Sequence, residues 1–150
     1  MKLGDIIPEG AVFPNLQSDD KDEILKEMID SLAKNRIIAS GQSEYVLRAI
    51  LDREDMGSTS IGRGVAVPHA KCDMKLFCAV GFSKKGVDFY SMDGDPVHIL
   101  FMLLFSGKSI HLEALALISR MTREMDMVES IRKKGFDQAL IEIKDYTSLL

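Results

Sequence analysis

Apolar positions along the chain follow two rhythms: a three-to-four-residue spacing toward both ends and an almost unbroken apolar run between them. The first predicts amphipathic helices and the second a buried strand. From Asp20, the stretch DKDEILKEMIDSLAKN sets Ile24, Leu25, Met28, Ile29, Leu32 and Ala33 on one helical face, with Asp20 and Glu23 resembling a capping pair. A second helix is expected after Ser43, burying Val46, Leu47, Ile50 and Leu51. Gly57 suits its end because glycine accepts a left-handed backbone, and Arg53 then falls in the last turn. SIGRGVAVPH, LFCAVGFS from Leu76 and VHILFMLLFS from Val97 read as strands, rich in β-branched and aromatic residues. The last is predicted to be a central strand covered on both faces, with Pro96 at its start and MDGDP (Met92 to Pro96) as the turn before it. Beyond Phe105, SGKSIHLEALALISRMTREM returns to helical spacing, with Ser106 or Ser109 as N-cap and Leu112, Leu115, Ile118 and Met121 on the buried face. DMVESIRKKGFDQALIEIKDY adds two shorter helices divided at Gly135. Helices, then strands, then helices, without regular βαβ alternation, predict an α/β (α+β-like) domain whose mixed sheet is flanked by helices.

Composition narrows this picture without changing it. A chain of 150 residues, 46% hydrophobic and 28% charged, fits one compact domain over residues 1–150, and no repeat or linker divides it. The net charge of −4, with no basic run beyond Lys84-Lys85 or Arg132-Lys133-Lys134, argues against a nucleic-acid binder. No apolar stretch approaches the ~20 residues that span a bilayer, and MKLGDIIPEG lacks a signal peptide's apolar core, so no membrane insertion and a cytoplasmic location are expected. Cys72 and Cys78 read as free packing thiols rather than a disulfide framework.

Candidate chemistry centres on three histidines, His69, His98 and His111. His69 and Cys72 share an H-x-x-C spacing, but two ligands fall short of a zinc site, and no metal is expected. Ser58, Thr59, Ser60 and Cys72 lie near His69, yet GSTSIG lacks the strand-elbow-helix pattern of a serine hydrolase. The remaining reading makes His69 itself the nucleophile, since imidazole is largely neutral near pH 7 and forms covalent intermediates. Phosphoryl transfer suits it, with Arg53, Ser58, Thr59 and the amides around Gly62 and Gly64 as candidates to hold charged oxygens. Each residue also has a plain structural reading. His69 then caps a strand, Arg53 serves a helix C-terminus, His111 opens a helix and His98 is a partly buried core histidine. Spacing alone leaves both readings open.

The stretch LDREDMGSTSIGRGVAVPHAK, from Leu51 to Lys71, resembles the type 2 EIIA domain of the bacterial phosphoenolpyruvate-dependent phosphotransferase system, the mannitol/fructose class and its nitrogen-regulatory relative. MDGDPVHILFMLLFS and HLEALALISRM are similar to two further family motifs, in the family's order. The resemblance implies the EIIA mannitol/fructose-type fold, phosphorylation of His69 on Nε2, His111 as the second active-site histidine and Arg53 as the arginine before the GST loop. It implies no cofactor. Ser60 stands where the family often has glycine and Arg63 where asparagine is frequent; Arg63 and Lys71 are candidates for a partner-facing rim, with a merely solvated role as the alternative.

The partners implied are HPr, or its nitrogen-branch counterpart, as donor, and an EIIB cysteine or regulatory target proteins downstream. The absence of a fused EIIB or EIIC segment tilts the expectation toward the nitrogen-regulatory form. A stand-alone sugar-specific EIIA is the alternative, and a non-catalytic protein-binding module is the rival of a different class.

Overall fold

Nine consecutive buried residues, Val97–Phe105, make the strand around which the fold is arranged. The computed structural model describes residues 1–147. After a 3₁₀ turn at Leu3–Ile6, the elements are β1 (Val12–Phe13), α1 (Lys21–Lys34), α2 (Ser43–Asp55), β2 (Ser60–Gly62), β3 (Val65–Ala66), β4 (His69–Lys71), β5 (Phe77–Val87), β6 (Val97–Phe105), α3 (Leu112–Glu124), α4 (Met127–Lys134) and α5 (Phe136–Asp145). The sheet order is β1-β5-β6-β3-β2, with β4 also pairing with β6. β5 runs antiparallel to β6, whereas β3 and β4 run parallel to it, so the sheet is mixed.

Side chains alternate along β6 into two core layers. Val97, Leu100, Met102 and Leu104 join Ile24, Leu25, Met28 and Ile29 of α1 and Val46 and Ile50 of α2. Ile99, Phe101 and Leu103 join Ala114, Leu117, Ile118 and Met121 of α3, Ile131 of α4 and Ile143 of α5. Helices that precede the strands in sequence thus cover one face, and those that follow cover the other. A strand buried on both faces favours apolar residues at nearly every position, which is why its period-two signal is absent.

Several local expectations are corrected. In α1 the Asp20 carboxylate accepts from Glu23 N at 2.8 Å, as expected, but Ala33 is only half-buried. In α2, Leu47 and Leu51 are half-buried while Glu54 is buried, because that carboxylate is drawn inward by partners described below. SIGRGVAVPH is three short strands rather than one. Gly62, Arg63 and Gly64 all have positive φ and turn the chain, and Pro68, which lacks an amide donor, separates β3 from β4. β5 continues past Ser83 to Val87 across a register shift between Phe82 and Val87. Neither Ser106 nor Ser109 caps α3: its N-cap is His111, and only the Ser109 carbonyl contributes, accepting from Leu112 N at 3.1 Å. The buried face therefore runs through Ala114, Leu117, Ile118 and Met121, leaving Leu112 54% exposed.

Gly81 of β5 faces α1 at a point where an added Cβ would lie 2.5 Å from Leu16 Cδ1 and 3.2 Å from the Met28 Sδ and Cε atoms. Gly81→Ala is expected to cost about 1–3 kcal/mol through overpacking, read as a lower urea midpoint with an unchanged m-value. An unchanged midpoint would contradict this packing.

Candidate functional site

His69 opens β4, paired in parallel register with Leu103 of β6. The Pro68 carbonyl accepts from Leu103 N at 2.9 Å, which anchors the residue before the histidine to the central strand. Proline also fixes its own φ and restricts Val67, so the approach to His69 has little freedom. The imidazole Nδ1 lies 2.8 Å from the Val67 carbonyl oxygen. A carbonyl only accepts, so Nδ1 carries the proton and donates; in the neutral ring, the lone pair is then on Nε2. That is the form a nucleophilic imidazole requires.

His111 arrives from the other side of the same strand end. β6 stops at Phe105, whose ring stacks on His111 with centroids 3.9 Å apart and planes 13° apart. His111 in turn stacks against His69, with centroids 5.8 Å apart and an interplanar angle of 25°. Its Nδ1 is buried and has no hydrogen-bond partner. Burial, and then the neighbouring His69, hold the His111 pKa below the ordinary histidine value, because a charged ring would be poorly solvated and would face a second titratable imidazole. The pair therefore places a neutral ring beside the Nε2 lone pair of His69.

The loop carrying the GST residues is clamped along the approach to His69. Thr59 O accepts from Val67 N at 3.0 Å, which holds residues 57–59 beside the Val67-Pro68-His69 segment. Arg53 Nη1 donates to the Gly57 carbonyl at 2.9 Å, and no carboxylate among the described residues pairs with this guanidinium. Thr59 donates to the buried Glu54 carboxylate through both its amide, at 3.1 Å, and its hydroxyl. Lys21 Nζ lies 2.9 Å from the same carboxylate and 5.0 Å from the Phe89 ring centroid. A buried carboxylate is retained only with partners of this kind. The Ser58 hydroxyl donates to Phe89 O and accepts from Ser60 N at 3.1 Å. In this structure the hydroxyls of Ser58 and Thr59 are thus bound within the protein; they secure the loop that Arg53 also holds.

Gly62, Arg63 and Gly64 lie further along the sheet from the histidine pair. Val65 is level with Ile99 on β6 and His69 with Leu103, so the glycine turn lies about 13 Å along the sheet from the His69 backbone. The Gly62 amide donates to Ser60 Oγ at 3.4 Å, and Gly64 O accepts from the amides of His98 and Ile99. The Arg63 guanidinium donates to the carbonyls of Thr122 at 2.6 Å and Arg123 at 3.1 Å, capping the negative end of α3. Lys71 stands exposed at the end of β4. His98 is 8% exposed and its Nδ1 lies 2.8 Å from the Ser83 carbonyl, the core role expected of it. Cys72 and Cys78 are buried free thiols. Among the described residues no three or more His, Cys, Asp or Glu side chains are grouped so as to hold a metal ion, and no described helix is long and apolar enough to cross a membrane.

Sequence reasoning missed Glu54 and its Lys21 partner, although Glu54 stands four and eight residues after Ile50 and Val46, on the buried face. It also missed Phe105 as the platform for His111 and the Val67 carbonyl as the group that sets the His69 tautomer.

Fold and candidate site together define a small mixed α/β protein in which an oriented imidazole is paired with a second one at a strand end. The chain belongs to the family described as "Phosphoenolpyruvate-dependent sugar phosphotransferase system, EIIA 2", which matches residues 5–145, and so to the phosphotransfer components of that system. A nitrogen regulatory protein of Bradyrhizobium diazoefficiens is 34% identical over 95% of this chain and 94% of its own length. The fructose-specific EIIABC component of Bacillus subtilis is 33% identical over 95% of this chain, which spans only 23% of that protein. The fold is that of the nitrogen regulatory protein IIA-Ntr from Neisseria meningitidis, with a TM-score of 0.81 at 24% identity over 94% of this chain and 97% of that one.

Because folding lowers the His111 pKa, the unfolded chain binds this proton more tightly than the folded one. The residue's contribution to stability is intact above its unfolded pKa and is lost as pH falls toward the folded value. NMR titration is expected to show His111 below the ordinary histidine range and to show its pKa rising in His69→Asn, where the neighbouring titratable ring is gone. A His111 that titrates at or above the ordinary value would contradict the burial of its ring.

Proposed function

We propose that this protein is a phosphocarrier in which His69 takes a phosphoryl group from the phosphohistidine of HPr, or of its nitrogen-branch counterpart. The hydrogen bond from His69 Nδ1 to the Val67 carbonyl at 2.8 Å carries the reading, because it leaves Nε2 as the attacking atom. The Nε2 lone pair forms the new N–P bond as the donor's N–P bond breaks, and the electron pair of the broken bond returns to the donor ring. His69 keeps its Nδ1 proton. Its ring is then cationic beside the phosphoryl dianion, and it leaves as a neutral imidazole in the next transfer, which keeps the N–P bond reactive.

His111 stays neutral and offers a ring N–H toward the phosphoryl oxygens at Nε2 in the tautomer whose buried Nδ1 is unprotonated. Arg53, anchored on Gly57 O, supplies the cation, its guanidinium shaped for two oxygens at once. Ile110 and Leu112, each 54% exposed on either side of His111, give an incoming protein apolar contact around the reacting atom, and Lys71 adds a cation at the end of β4.

After His69 the phosphoryl group is held as a regulatory signal, the form we favour; the match to a nitrogen regulatory protein along 94% of that protein's length supports it. Onward transfer to an EIIB cysteine is the second reading, supported by the 33% identity to a fructose-specific component. The test uses phosphoenolpyruvate, enzyme I and HPr or its nitrogen-branch counterpart. The wild-type chain is expected to become labelled and His69→Ala to remain unlabelled. Arg53→Lys is expected to slow labelling about tenfold or more, the loss of one charge-assisted contact. His111→Ala is expected to slow it with the fold retained. Labelled His69→Ala would assign the nucleophile elsewhere, and an unlabelled wild type with both donors would leave a protein-binding module as the function.

A further inference from the structure

At the same end of the sheet as His69, but on the far side of β6, a groove of about 510 Å³ opens between the Leu3–Ile6 turn, the chain after α1 and the start of β5. Ile6, Pro8, Ile37, Met74, Leu76 and Phe77 line it, and each is only partly buried. Apolar side chains left exposed together in a concavity of this size are the ordinary lining of a ligand site. Ile37, Met74 and Phe77 pack on the core layer under α1 and α2, whereas Ile6 and Leu76 pack on the opposite layer, so the groove lies where the two layers meet.

Its rim has a definite charge. Arg36 and Lys75 both line the groove, and among the described residues neither pairs with a carboxylate. The acidic side chain in the lining, Asp5, accepts from the Lys2 amide at 3.2 Å, and Gln42 is the remaining neutral polar group. Arg36 also sits where an arginine is unfavourable. It follows the end of α1 at φ +61°, while the amides of Ile37 and Ile38 both donate back to Leu32 O, a helix-end turn that glycine or asparagine ordinarily occupies. Glycine would close the helix with less strain, so the guanidinium is what arginine adds there.

We propose that this groove binds a small amphipathic carboxylate, its apolar body against Ile37, Met74 and Phe77 and its anionic head facing Arg36 and Lys75. The site is separate from the histidine pair, and the proposal does not rest on phosphotransfer. The test is amide NMR of the full chain titrated with octanoate, with octylammonium as the cationic control. Saturable shifts confined to residues 5–8, 36–42 and 74–77 are expected with octanoate. Lys75→Glu and Arg36→Gly are each expected to weaken binding about tenfold or more, with Arg36→Gly melting no lower than the wild type. Absence of saturation, equal binding of octylammonium, wild-type affinity in both variants, or shifts centred on His69 and His111 would each overturn the proposal. Concentration-dependent shifts of the same amides without added carboxylate would do so as well, by showing that a second copy of the chain fills the groove.

Discussion

The site depends on burying β6 on both faces. Because α1 and α2 cover one side and α3, α4 and α5 the other, the strand's register is held by apolar contacts above and below. A slip of one residue would exchange every side chain between the two layers. β4 runs parallel beside the C-terminal end of this strand, and the segment leaving it carries His111. Two histidines that lie 42 positions apart in the chain are thereby brought to one strand end.

Charge at the site is controlled by simple means. The Val67 carbonyl selects the tautomer of His69, and burial against Phe105 keeps His111 neutral. Arg53 is held by a backbone carbonyl rather than by a carboxylate. A carboxylate close by would neutralise the guanidinium and repel an anionic group; Glu54, one of the acids of that helix turn, is turned inward and occupied by Thr59 and Lys21. A neutral His111 ring and a guanidinium held by a backbone carbonyl suit the temporary holding of a dianion.

Much of this was legible in the sequence where residue type and spacing act locally. The doubly covered strand could be read from VHILFMLLFS, the first helix from its apolar face and Asp20 cap, and the histidines, with Arg53, from three ordered motifs. What failed had non-local causes. Arg63 is close to His69 in the chain, but the turn at Gly62 and Gly64 sends its guanidinium to the end of α3, a contact that spacing does not show. Leu112 looked buried because α3 was expected to begin earlier than it does. Glu54 went unnoticed on the buried face of α2, since only the fold brings Thr59 and Lys21 to it. The Val67 carbonyl has no side-chain signal, so the His69 tautomer became visible only with backbone geometry.

The central claim is that Nε2 of His69 is the reacting atom. It is tested most directly by nitrogen–phosphorus coupling in NMR spectra of the phosphorylated chain labelled with isotopic nitrogen in histidine. The account predicts coupling to Nε2 of His69, with Nδ1 still protonated and donating to Val67. Coupling at Nδ1 of His69, or at either nitrogen of His111, would contradict it.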